Sequence, residues 1–194
     1  MSEYLTIDTA SDTKPTKVKT VPPMPVHGEE HPLLREVMPE YTEQLPNNHI
    51  NEIAERMKSS MKMMRGLGLS ANQCGEKLRM FVIGNDDFNM VCINPRVTNH
   101  SETFTTSAEG CLSFPALSLK VARPDWLEVE FTDENGQLQR ARIDGITARC
   151  FAHELDHLNG VVYTNRVKPL ALKMARQKQG KLIKKIVRTY KKNL

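Results

Sequence analysis

No run of about 18 apolar residues occurs anywhere in this chain of 194, so a membrane-spanning helix is not expected. The amino terminus has no apolar segment and carries Glu3, Asp8 and Asp12. That is neither a secretory signal nor an Arg-rich, acid-poor transit peptide, and a cytoplasmic location is the expectation. Cysteine is scarce. Cys74, Cys92, Cys111 and Cys150 form no CxxC pair, which argues against a disulfide framework and leaves thiols, either as core filler or as metal ligands. Internal repeats are absent. Acidic residues are missing from Lys168 to Leu194, where ten Lys or Arg fall, leaving 17 basic and 23 acidic residues in the rest. A mildly acidic body therefore carries a basic tail.

The length suits one domain with a sizeable core. Residues 1–21 are rich in Thr, Ser, Asp and Lys and read as a flexible arm, with residues 22–194 as a single domain. Asn47 or Asn48 caps a helix to about Arg65, whose stripe is Ile50, Ile53, Ala54, Met57, Met61 and Met64. Gly66-Leu67-Gly68-Leu69 breaks it. Met80 to Ile83 and Met90 to Ile93 read as buried strands. Leu127, Val129 and Phe131 alternate with Glu128 and Glu130, and a turn at Asp133 to Gly136 returns a strand from Gln137 to Ile143. A short extended segment is expected from Val161 to Tyr163. Ile183, Ile186, Val187, Tyr190 and Leu194 recur at helical spacing, giving an amphipathic helix with a basic outer face. The class is α+β, with antiparallel or mixed sheets packed around a central helix and a helix at the carboxyl end.

That central helix carries His153-Glu154-Leu155-Asp156-His157. Residues four apart on a helix share a face, so the two imidazoles can reach one divalent ion while Glu154 exchanges protons with a water on it. Ile146, Cys150, Phe151 and Leu158 are interleaved with the motif and predict a mostly buried helix ending at Gly160. A buried His-Glu-His set needs partners, and a metal supplies them.

A third ligand is required. Cys150 shares the face, but about 10 Å of helical rise separates it from His157, and it reads better as core. Cys111, in Glu109-Gly110-Cys111-Leu112-Ser113, is either a buried cysteine at a strand start or a ligand. The loop Gly66 to Gln73 lacks the Gly-Lys-Ser/Thr ending of a phosphate loop.

Together, GLGLSANQ, EGCLS and HELDH, in this order, resemble the signature of the peptide deformylases, and the resemblance runs from about Pro25 to the end of the tail. Ser70 stands where that family usually has Ala, and Ser118 where many bacterial members have Arg. The long arm before Pro22 is also atypical.

The resemblance implies that Cys111, His153 and His157 ligate one divalent metal, natively Fe(II), with zinc, nickel or cobalt able to replace it. It implies that Glu154 is the acid-base residue, and that the Gln73 amide and the Leu112 backbone N–H stabilise the oxyanion. Gly66, Gly68, Leu69 and Gly110 would hold an extended N-formyl-methionyl peptide. Asp156 and Arg123, with Glu109 in the same charge network, are read either as groups that orient the ligands from behind or as an ordinary surface pair. The basic tail is either a solvated helix face or a contact with ribosomal RNA. Two other functions share part of this pattern: a zinc endopeptidase of the HExxH kind, and a non-catalytic metal-binding protein.

Overall fold

The structure is a computed structural model that describes residues 21–85 and 88–192. Apart from Val21, the arm expected over residues 1–21 lies outside the described residues, as does Leu194. Helix α1 (Asn48–Met63) starts where Asn47 accepts a hydrogen bond from the His49 N–H at 2.9 Å. Strands β1 (Gly68–Ser70), β2 (Met80–Gly84), β3 (Asn89–His100), β4 (Phe104–Cys111), β5 (Phe114–Pro124), β6 (Trp126–Thr132) and β7 (Leu138–Asp144) follow. Helices α2 (Gly145–Leu158) and α3 (Pro169–Lys192) complete the chain. Five strands form an antiparallel sheet in the order β1-β2-β3-β6-β7, while β4 and β5 form a separate two-stranded sheet.

The strand period decides which residues meet which helix. On β2, Phe81 and Ile83 face α2, where they join Cys92, Val129, Phe131, Ala148 and Phe151. Met80 and Val82 face the other way and pack with Ile50, Ile53, Met57 and Met61 of α1. The sheet is thus covered on both faces, and α2 is held firmly. Phe151 is fully buried and meets the Phe81 ring edge-on at 4.9 Å. Burial of such a ring contributes roughly 1.5–3 kcal/mol, with about 0.5–1.5 kcal/mol more from the edge contact.

Helix α2 ends at Leu158, and Gly160, two residues on, has a φ of +70° that suits the left-handed residue after the cap. The Gly160 N–H donates to the His157 carbonyl and the Val161 N–H to that of Asp156, which is a Schellman ending.

Some expectations fail. Ile146 is not buried but 63 % exposed in the first turn of α2, where it borders a cavity. Cys150 is half-buried at the edge of the core, against which it packs, and Glu130 is buried because Arg96 and Arg140 pair with it. Tyr163 opens a 3-10 turn instead of closing an extended segment. The hairpin of β4 and β5 was not anticipated at all, and Cys111 ends a strand rather than starting one. Helix α3 begins at Pro169, well before the stripe read in the tail. Its first half packs on the hairpin through Leu172 and Ala175, and Gln179 donates to the Pro115 carbonyl at 2.8 Å. Arg176 ties it to Glu29 at 2.9 Å. Beyond that, Leu182, Ile183, Ile186, Val187 and Tyr190 are exposed.

Candidate active site

Three elements meet beside α2. The helix turn stacks His153 above His157, with ring centroids 5.1 Å apart. The tip of the β4–β5 hairpin brings Cys111, whose Sγ lies 3.3 Å from His157 Nε2. One ligand atom from each of Cys111, His153 and His157 falls within 4.8 Å of the others. His153 Nδ1 donates to the Glu109 carboxylate at 3.1 Å, which leaves Nε2 for the centre. The donor chemistry, one thiol and two imidazoles, fits a single borderline divalent ion. Burial opposes charge on His153, yet its hydrogen bonds to Cys111 and Glu109 lift its pKa to about 10. An ion bound here would replace that proton, because an imidazole must be neutral to ligate. Cys150 takes no part in this cluster. Its thiol donates to the Leu67 carbonyl at 3.1 Å, and burial raises its pKa well above the usual thiol range.

Behind these three donors lies a buried charge network. Arg123 is 3 % exposed and donates to Glu109 through Nε and Nη2, at 3.0 and 3.1 Å, and to Asp156 through Nη1 at 2.6 Å. Burial alone would raise the Glu109 pKa, but the hydrogen bonds from His153 and Arg123 hold it down to about 2. A fixed carboxylate on Nδ1 sets the ring's orientation and tautomer.

In front lies a cavity of about 330 Å³. Gly66, Leu67 and Gly68 form one wall, Ala108 to Leu112 the other, and His153, Glu154 and Cys150 the floor. Gly68 is required by close approach: a Cβ there would sit 2.5 Å from Glu154 Oε1 and 2.7 Å from Cys150 Sγ. Gly66 lies under the Leu112 side chain in the same way, at 2.8 Å. Leu69 differs, since its side chain is fully buried in the core below α1 and only its backbone is at the strand edge. Among the described residues strand β1 pairs with β2 alone, which leaves its other edge open. Gln73 sits on a 3-10 turn, Ala71–Cys74. Its carboxamide oxygen accepts from the Ser70 N–H and hydroxyl at 3.0 and 2.9 Å, which aims Nε2 at Cys111 Sγ, 3.4 Å away, and Ser113 Oγ, 3.1 Å away. Glu154 is 4 % exposed, and its Oε2 has no hydrogen-bond partner among the described residues. Burial pushes its pKa up to about 7, with the His153 charge pulling the other way.

Sequence reasoning missed four residues around this site. Asn72 donates to the His157 and Leu33 carbonyls, at 2.7 and 3.0 Å, and so locks the loop to the end of α2. Ser113 accepts from Gln73. Arg166 pairs with Asp156, and Arg149 pairs with Glu109. Arg149 had a signal: it lies four residues before His153, on the same helix face.

The family model described as Polypeptide deformylase matches residues 23–173. A peptide deformylase of Synechococcus sp. (strain CC9605) is 38 % identical over 167 residues, covering 82 % of each chain. Among solved structures, a peptide deformylase from Synechococcus elongatus in complex with actinonin is 33 % identical, with a TM-score of 0.77, covering 90 % of this chain and 94 % of that one. Crystals of the Plasmodium falciparum peptide deformylase give 29 % identity and a TM-score of 0.75, covering 85 % and 98 %.

Proposed function

The chain belongs to the polypeptide deformylase family, and on that premise we propose that Cys111, His153 and His157 hold its divalent ion while Glu154, Gln73 and Leu112 carry the reaction. The reaction is hydrolysis of the N-formyl group from the amino-terminal methionine of newly made polypeptides, with release of formate. A zinc endopeptidase or a non-catalytic metal binder is thereby set aside.

When bound, the ion supplies Lewis acidity, which acidifies a water and polarises the formyl carbonyl. Glu154 takes the proton from the attacking water and returns it to the leaving amine, a role for which a pKa near neutrality is suited. The Gln73 amide N–H and the Leu112 backbone N–H stabilise the charge that develops on oxygen, and Ser70 keeps the Gln73 amide facing the right way. The open edge of β1 at Gly68 and Leu69, with Gly66 just before it and Gly110 facing it, pairs with the peptide backbone as an added strand. The methionine side chain enters the cavity beside Ile146 and Cys150. Glu109, Arg123 and Asp156 keep the ligands oriented.

The observation that carries this assignment is the meeting of one sulfur and two ring nitrogens next to a buried carboxylate with an unpaired oxygen. Fe(II) is the native ion in this reading, which rests on the family resemblance. Purified under anaerobic conditions, the protein should contain one iron per chain and release formate from formyl-Met-Ala-Ser. A chelator should remove both. Formate release that survives complete loss of metal would overturn the assignment.

Residues 22–194 act as one catalytic domain in this reading, in the cytoplasm where nascent chains emerge. No helix among the described residues is long and apolar enough to cross a membrane. The far half of α3, basic and free of acidic residues, is the proposed contact with ribosomal RNA. Co-sedimentation with ribosomes should weaken at least about tenfold between 50 and 200 mM salt, as phosphate contacts do. Removal of residues 181–194 should abolish it, and unchanged co-sedimentation would exclude this contact.

A further inference from the structure

We infer that Arg149 is a positioning residue of the metal centre, an anchor on α2 that helps hold the Cys111 hairpin in register with the histidines of the same helix. This rests on the ligand set proposed above. The hairpin is a sheet of its own, so the distance from Cys111 to the His153–His157 pair depends on how β4 and β5 are fixed to α2. One anchor is Asp156, which receives Arg123 of β5. Helix α3 and Tyr163 also hold the hairpin, through an apolar cluster and bonds to the Pro115 and Leu117 carbonyls, but only contacts with α2 itself set its register against the histidines. Arg149 stands seven residues before Asp156 on α2, about 10 Å along the axis. It is 9 % exposed. Its Nη1 donates to Glu109 Oε1 at 2.7 Å and to the Val121 carbonyl at 2.8 Å, and its Nη2 donates to the Thr105 carbonyl at 2.6 Å. One guanidinium thus grips both strands of the hairpin.

The same contact completes the hold on Glu109. With Arg149, each Glu109 oxygen accepts twice: Oε1 from Arg123 Nε and Arg149, Oε2 from Arg123 Nη2 and His153. A carboxylate saturated in this way cannot rotate, and the His153 ring it holds cannot tilt away from the ion. The Arg149 head is turned to these acceptors, although the residue lines the cavity.

The test uses Arg149→Met, which keeps a stem of similar length and removes the guanidinium, and Arg149→Lys, which keeps the charge without the fork. Co(II) is titrated against a competing chelator, with the visible spectrum recording the cobalt geometry and its thiolate band. R149M should bind Co(II) about 10–100-fold more weakly than the wild type, with a changed spectrum. R149K should fall between them, and it carries the same expectation if R149M does not fold. KM for formyl-Met-Ala-Ser should stay within about twofold while kcat falls. Wild-type Co(II) affinity and spectrum in a variant that merely melts earlier would reduce Arg149 to a structural residue and overturn the inference. Failure of the wild-type chain itself to bind Co(II) would instead overturn the ligand assignment, and this inference with it.

Discussion

Glu154→Ala is expected to slow formate release by about 10²–10⁴-fold while metal content stays at the wild-type level. The carboxylate is almost fully buried, and burial is what raises its pKa to about 7. A group whose pKa is raised toward neutrality can both take and give a proton. Its unpaired Oε2 is the second reason, because a buried acceptor without a partner costs free energy that only a ligand or a water at this place can offset. Gly68 is the third, since a hydrogen in place of a Cβ is what leaves room for the carboxylate. Single-turnover release of formate, beside metal analysis of the same sample, separates the chemical step from ion binding. Equal rates in wild type and E154A would remove Glu154 from the reaction. Loss of metal in E154A would make it a ligand instead.

The largest expected change in stability comes from Arg123→Leu. It strands Glu109 and Asp156, both buried, without their shared cation. Breaking a buried pair in this way costs about 3–5 kcal/mol. Arg149 still reaches Glu109, and the half-exposed Arg166 still reaches Asp156, so the lower end of that range applies. For a chain of this size a loss of about 3 kcal/mol lowers Tm by roughly 6–12 °C. Thermal melts of the metal-free and metal-loaded protein measure it. A melting point within a degree or two of wild type would show that the network contributes little to the fold.

The periodic parts of the structure were legible in the sequence because their burial is one-sided. Ile50, Ile53, Met57 and Met61 mark α1, and Asn47 marks its start. The HELDH segment lies on a helix with its rings one turn apart, and Cys111 and Gln73 arrive from distant segments that share no local pattern with it. Those two were reached by resemblance, since no spacing rule links residues 73, 111 and 153. Strand β4 escaped because its sequence, Phe104 to Cys111, is mostly exposed and shows no apolar alternation. Strand β5 does alternate, with Leu117, Leu119 and Val121 inward, but without its partner the hairpin had no recognisable turn. Arg149 shows why buried charge is hard to read. An arginine on a helix or strand looks like a solvated residue until its carboxylate, tens of residues away, is known. The full length of α3 was hidden for another reason: Leu172 and Ala175 pack on the hairpin while Leu170 and Met174 do not, so its stripe is discontinuous.

The division of the strands into two sheets has a thermal consequence. Five strands and two helices share one double-sided core, whereas β4 and β5 are held by a smaller apolar cluster with Tyr163 and α3 and by a few ion pairs to α2. Units with less shared apolar area open first. Warming should therefore loosen the sulfur-bearing tip while the larger sheet remains intact, so that inactivation sets in below the temperature of cooperative melting.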